Sequence, residues 1–266
     1  MTQSGKPRVC IEMMRSPLVL AIIGFGLVSL TLLCLDMSWG RHGSPVAAAF
    51  GLPSDLEDLF SEPWRLLLYS FVHLSVMHLV MNLLVLFVFG MALAASGMKM
   101  VRFLILFLCG GVAGGLLYVS CFGYMLSGHG ILLGSSAAVM AVVVYSAVVT
   151  PARRLVFPGN PTVLQGFLVI VAFAVSALLW GGDNLGGAIA HIGGVLAGFG
   201  ASFMGYIRTA FNSRKEDISD QSFSYGDSPD TEMRQLQSKV ERSGFTSLTE
   251  EEKKRMFELS KCRADD

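Results

Sequence analysis

Charge is scarce in this sequence. Only 15% of its residues are Asp, Glu, Lys or Arg, where a soluble domain of similar size carries about 25%. The deficit is uneven: charges are sparse from Pro17 to Tyr206 and dense from Arg208 to Asp266. Metal-ligand spacing is missing as well. The five cysteines, Cys10, Cys34, Cys109, Cys121 and Cys262, form no CxxC and read as unpaired small residues. No metal or cofactor site is expected. Basic clusters with interleaved aromatics are absent, so nucleic acid is not an expected partner. No A-x-A-like cleavage site follows the first apolar run, which is therefore expected to be retained.

What remains is apolar. Hydrophobic residues make up 53% of the chain and the mean hydropathy is +0.58. Six runs approach or exceed the roughly 20 residues that cross a bilayer: Pro17–Leu35, Leu74–Ala95, Phe103–Leu126, Ile131–Val149, Thr162–Trp180 and Leu185–Ile207. In lipid only helices and closed barrels satisfy their own backbone, and the alternation of a barrel is absent. The expected fold is an all-α polytopic membrane protein with six helices. Its parts are an N-terminal arm over residues 1–16, a membrane domain over 17–207, a linker over 208–228 and a small helical tail over 229–266.

The loops set an orientation. Lys6, Arg8 and Arg15, then Lys99 and Arg102, then Arg153 and Arg154, then Arg208, Arg214 and Lys215 fall on one side if all six runs cross. By the positive-inside rule that side, with both termini, is cytoplasmic. The first outer loop, Asp36–Phe71, is long and rich in Leu, Phe and Trp. It is expected to lie on or in the outer leaflet. His129 reads as a solvated loop residue. In the tail, Ser228-Pro229 reads as a cap with proline at the first helical position, followed by a Met233, Leu236, Val240 stripe and a stop at Gly244. Thr249 with Glu252 is a capping box ahead of Met256, Phe257 and Leu259.

Polar residues inside the apolar runs are few, and in a membrane each is costly. The second run holds His78 and Asn82, four apart and so on one helix face, with His73 at its outer entrance. The fourth holds Ser135 and Ser136 near its head. The sixth holds His191, and Gly187, Gly194 and Gly198 at −4, +3 and +7 share its face. A small-residue face lets another backbone approach closely. The fourth run, with Gly134, Ala137, Ala138 and Ala141, is the other small-residue helix. Packing these two together brings His191 to a serine. Interhelical glue explains each polar residue separately, yet all of them lie at one depth near the outer surface. A serine becomes a nucleophile when a base takes its proton, and His191 is the candidate base. With no Asp or Glu in the runs, the pair is a Ser–His dyad. The Ser136 amide, His78 and Asn82 are candidate oxyanion donors.

Together these residues resemble the rhomboid intramembrane serine proteases. The resemblance runs from Pro63 to Gly198. It includes Trp64-Arg65, then His73, His78 and Asn82, then Gly134-Ser135-Ser136-Ala137, then Gly186, Ala190-His191, Gly194 and Gly198. It implies cleavage of transmembrane protein substrates at the lipid bilayer by a multi-pass protein of a bacterial inner membrane. Ser136 is implied as nucleophile and His191 as base, with His78 and Asn82 in the oxyanion hole. Gly134 would allow the substrate backbone to approach. Trp64, Arg65, His73, Gly186, Ala190, Gly194 and Gly198 take supporting roles. Segment five and the Gly181-Gly182-Asp183-Asn184 loop are implied in substrate access. Two positions depart from the family pattern: Ala137 stands where a second glycine is frequent, and Met140 where an aromatic is frequent. The tail, from Ser243-Gly244-Phe245 to Glu252-Lys253, looks like one seen on some bacterial members, and its partner is unknown. A catalytically inactive relative that binds transmembrane helices is the alternative. It would lack the serine or the histidine. A transporter predicts intramembrane charges or internal repeats, and neither appears.

Overall fold

The structure is a computed structural model that describes residues 16–39, 44–156, 159–180, 184–221 and 229–262. It divides into two compact units, Met1–Tyr206 and Ile207–Asp266.

The first unit is built of apolar helices. α1 spans Pro17–Trp39, with proline at its first position, where its missing N–H costs nothing. α2 (Pro45–Phe50), β1 (Leu52–Pro53), α3 (Leu56–Ser61), α4 (Arg65–Leu68) and a 3-10 turn (Tyr69–Phe71) fill the stretch read above as the first outer loop. α5 follows over Val76–Ala95, and α6 over Met100–Leu117 continues into a π-helix at Tyr118–Met125. β2 (Ile131–Leu132), α7 (Ser136–Val149), α8 (Val163–Trp180) and α9 (Leu185–Gln221) complete the order. Among the described residues, four stretches are long and apolar enough to cross a membrane: Pro17–Met37, Val76–Ala95, Met100–Met125 and Leu185–Arg208. The chain is thus an all-α polytopic membrane protein. These helices keep large apolar side chains on their outer surfaces, among them Leu27, Val80, Ile105 and Phe203. In water such faces would associate; in hydrocarbon they meet their solvent.

The fourth apolar run departs from expectation. Ile131–Val149 is not one helix. Ile131 and Leu132 are extended and pair antiparallel with Pro53 and Leu52. Gly134 then takes φ +105°, a conformation that ends any helical path. The helix begins only at Ser136 and has 14 residues, about 21 Å at 1.5 Å per residue. A hydrocarbon core is about 30 Å thick, so α7 is too short to reach both faces. It is also wrapped by protein: every residue from Ala137 to Val144 is buried. The others build their main core around it. Leu86 and Phe89 of α5, Phe103 and Phe107 of α6 and Val163 at the start of α8 join Ala138, Val139, Ala141, Val142 and Val143 there.

Small residues set the spacing around α7. A Cβ on Gly110 of α6 would stand 2.4 Å from that of Ala141, and one on Gly114 would stand 2.4 Å from that of Ala137. The run Gly110-Gly111-x-x-Gly114-Gly115 carries this in the sequence as a small-xxx-small pattern.

The first outer loop is folded. Asp55 caps α3 by accepting the Glu57 amide at 2.7 Å. Leu52, Leu59 and Tyr69 pack with Tyr118, Val119, Leu132, Ala137 and Ala190 in a second core cluster. Two members of that cluster are the neighbours in sequence of Ser136 and His191. α8 starts with a reciprocal capping box: Thr162 N–H donates to Gln165 at 2.8 Å and Gln165 N–H to Thr162 Oγ1 at 3.2 Å. The T-x-x-Q spacing is the signal for it.

The second unit forms its own small core. α10 (Pro229–Ser243) and α11 (Glu250–Cys262) enclose Met233, Leu236, Leu248 and Leu259, with Val240 and Met256 against them. Gly244, at φ +80°, ends α10 as expected. The Thr249–Glu252 box forms in both directions, at 2.8 and 3.2 Å. Burial raises the Glu252 carboxyl, but the bonds from the Thr249 amide and Lys239 outweigh it and hold the group below the usual carboxylate range. Phe257, one of the apolar residues of the second tail helix, is 61% exposed, while Leu248, just ahead of the box, joins the core. Ser228 lies outside the described residues. The linker expected over 208–228 is helical as far as Gln221, because no glycine or proline interrupts the chain from Tyr206 to there.

Candidate active site

Ser136 is the first residue of α7, so its amide has no partner within the helix. Val139 is the first residue of the helix whose N–H bonds a turn carbonyl, that of Ser135 at 2.9 Å. Gly134 N–H is tied to Tyr69 O at 3.1 Å, and Tyr69 Oη donates to Gly111 O at 2.7 Å. The approach to Ser136 is therefore pinned by the outer loop and by α6. Sequence reading missed Tyr69, because nothing local marks a tyrosine whose partners lie more than 40 residues away.

Across the site, α9 presses its glycines into α7. A Cβ on Gly194 would stand 2.0 Å from Ala137 O, and one on Gly198 would stand 2.7 Å from Ala141 O. Backbone meets backbone at both points. Gly193 makes a similar approach to Ala113 and Gly114 of α6. The result is a hydrogen bond of 2.7 Å between His191 Nε2 and Ser136 Oγ, bridging 55 residues of sequence. Both residues are half-buried. Among the described residues no carboxylate is bonded to His191. Gly187, one turn before His191, sits under the Asn184 side chain, whose Oδ1 accepts the Gly187 amide at 3.0 Å. That arrangement is an N-cap for α9.

His78 lies over Gly134. A Cβ on Gly134 would be 2.5 Å from His78 Cε1, so the site needs glycine there for space as well as for φ. Asn82, one turn further along α5, is buried. Its Nδ2 donates to the His78 carbonyl at 2.8 Å. One amide hydrogen goes back to the helix, and an amide carries two.

His73 is more deeply placed than expected, only 1% exposed. Its Nε2 stands 3.2 Å from Ser135 Oγ and 3.4 Å from Ser135 N, while Nδ1 faces Phe71 O at 3.4 Å. Its ring meets that of His78 edge-on at 5.2 Å. Burial, and then the neighbouring His78, lower the His73 imidazole from its ordinary 6.5 to about 4, against the bond to Phe71 O. The neutral form belongs to the folded state. Its stability is fully present above about pH 6.5 and is lost as pH falls toward about 4. The melting temperature of the detergent-solubilised protein should fall over that window, and His73→Leu should make the fall shallower. An equally steep fall in the variant would remove His73 from the account.

The supporting residues separate into two groups. Gly186 packs under Tyr118 and Phe122, and Ala190 is buried in the second core cluster, so both belong to the α9 wall of the site. Trp64 and Arg65 stand in the outer loop and do not join the Ser–His pair. Trp64 is 47% exposed. Arg65 donates to Gly51 O at 3.3 Å and pairs with Glu62. Met140 is buried within α7, and His129 is exposed as expected. Cys34, Cys109 and Cys121 are free thiols. Gly181, Gly182 and Asp183 lie outside the described residues.

The comparisons with known proteins agree with this arrangement at the level of family. A family profile described as the Rhomboid domain matches residues 61–208, more than half of the chain. RHOMBOID-like protein 6, mitochondrial, from Arabidopsis thaliana is 29% identical over 148 residues, 54% of this chain and 44% of the relative. The chain therefore spans less than half the length of that relative. With the match covering every apolar helix from α5 to the membrane part of α9, the chain belongs to the rhomboid family of multi-pass membrane proteins, which includes serine proteases.

Proposed function

We propose that this protein is an intramembrane serine endopeptidase that cleaves transmembrane protein substrates. The observation that carries the reading is the 2.7 Å contact between Ser136 Oγ and His191 Nε2. In the proposed reaction, His191 Nε2 takes the Ser136 hydroxyl proton as Oγ attacks the scissile carbonyl carbon. The carbonyl oxygen becomes an oxyanion. The Ser136 amide, the His78 ring and the second Asn82 amide hydrogen donate to it. His191 then gives its proton to the departing amine, leaving an acyl ester on Ser136. Water attacks that ester, again with His191 as base, and releases the carboxylate product. Gly134, having no side chain, lets a substrate backbone approach.

The proposal includes six crossings, with α7 reaching the outer side through the extended Ile131–Gly134 approach and α8 as the fifth. Both termini are cytoplasmic and the site opens to the outer face of a bacterial inner membrane. The proposed organisation is an arm over 1–16, the protease domain over 17–207, a connecting stretch over 208–228 and a small tail domain over 229–266. The four clusters of basic residues on alternate loops support this orientation.

A fluorophosphonate probe tests the chemistry. Labelling is expected on Ser136 and should vanish in both Ser136→Ala and His191→Ala; labelling that survives either change overturns the assignment. Asn82→Ala is expected to lower kcat about 10²–10³-fold, the cost of one oxyanion donor, with little change in melting temperature. A lower melting temperature at unchanged kcat would reduce Asn82 to the helix contact with His78 O.

A further inference from the structure

Two Ser–His pairs stand side by side, Ser136–His191 and Ser135–His73. Only the first is accessible. Ser135 is 0% and His73 1% exposed, so no substrate reaches the second pair and it is not a second nucleophile. Its meaning lies in the helix start. Ser135 is the N-cap residue of α7, the position where a serine side chain ordinarily accepts an N–H of the first turn. Here it makes no such bond, and its backbone, at φ −80° and ψ 3°, is outside the extended region typical of caps. Elsewhere among the described residues several polar caps work. Asp55, Ser75, Thr162, Asn184 and Thr249 each accept a first-turn amide. Ser44 does not, and its hydroxyl has Asp36 as an alternative acceptor. The Ser135 hydroxyl has one too, His73 Nε2.

The tautomer follows from the partners. Phe71 O can only accept, so Nδ1 carries the proton and Nε2 is free to accept from both the Ser135 hydroxyl and the Ser135 amide. The same ring meets His78 edge-on. One buried imidazole therefore touches both Ser135 and His78.

From this we propose that His73 is a positioning residue that draws the Ser135 hydroxyl away from the Ala137 and Ala138 amides of α7, so that the turn beside the Ser136 amide stays open for a substrate oxygen. The idea rests on the protease reading above for its catalytic consequence, but not for its structural one. Without His73, the Ser135 hydroxyl would turn to the free amides of Ala137 and Ala138 and compete for the turn that faces the substrate.

A double-mutant cycle tests this. His73→Leu is expected to lower kcat about tenfold or more with KM within about twofold, as for a misplaced reacting group. Ser135→Ala is expected to stay within about threefold of the parent, since it removes the hydroxyl that would compete. The double variant should then turn over faster than His73→Leu alone. Amide hydrogen exchange gives an independent arm: exchange at residues 137–138 should slow in His73→Leu and recover in the double variant. A double variant as slow as His73→Leu, with exchange unchanged throughout, overturns the proposal. Should His73→Leu not fold, His73→Gln, which keeps an acceptor, is compared with His73→Met, which does not, and only the second should show the loss. If the parent protein is not labelled by fluorophosphonate, the protease reading fails while the exchange arm still decides the capping claim.

Discussion

Ser136→Ala is expected to reduce cleavage of a reporter transmembrane substrate by about 10⁴–10⁶-fold, and His191→Ala by a similar factor. The two residues act as one unit: without the base the hydroxyl is a weak nucleophile, and without the hydroxyl the base has nothing to activate. Their effects should not add, and the double variant should be about as slow as either single one. Both side chains are half-buried and bond mainly to each other, so the melting temperature should change little. Measured turnover in reconstituted vesicles beside a thermal melt separates the two quantities. Cleavage that survives in Ser136→Ala would sink the nucleophile assignment. Additive losses would show that His191 serves some step other than activating Ser136.

Gly194→Ala is the second large effect, and it acts without touching a reacting atom. Its new Cβ would stand 2.0 Å from Ala137 O. The obstacle is backbone, so no rotamer relieves it, and α9 must move away from α7 by roughly 1 Å or more to restore ordinary contact. His191 and Ser136 ride on those two helices. A displacement of that size costs about 10²-fold in a reaction that depends on alignment, and overpacking costs about 1–3 kcal/mol in stability. Gly200→Ala on the same helix is the control: nothing lies within 4 Å of its Cβ. Alanine in a helix interior is favoured over glycine by about 0.5–1 kcal/mol, so this variant should be neutral or slightly more stable, with unchanged cleavage. Equal behaviour of the two variants would mean that the α7–α9 contact does not set the dyad.

Much of the architecture is legible in local composition. Long apolar runs without charge can only be helices in lipid, which is why α1, α5, α6 and the first part of α9 follow from the sequence. Capping boxes and a terminal glycine mark the tail helices for a similar reason: they depend on residues three or four apart. The glycine spacing on either side of His191 also identified the pressed face, because period 3.6 places Gly194 and Gly198 together. It did not reveal that Gly187 also lies under the Asn184 cap at the helix start.

Other features are decided by contacts the chain makes far from itself. Nothing within Ile131–Val149 requires its first residues to be extended. They are extended because Leu52 and Pro53 offer a strand partner some 80 residues earlier. The same holds for His73, whose partner Ser135 is 62 residues away.

By itself, the sequence determined that this is a multi-helix membrane protein carrying a serine, two histidines and an asparagine within its apolar runs, since hydropathy and helical period are local properties. Only the tertiary structure decided that the fourth helix starts at Ser136. It alone decided that backbone-to-backbone packing at Gly194 brings His191 to Ser136, and that His73 holds the neighbouring Ser135. Close approach of two backbones depends on the shapes of both helices at once, and no single stretch of chain contains that information.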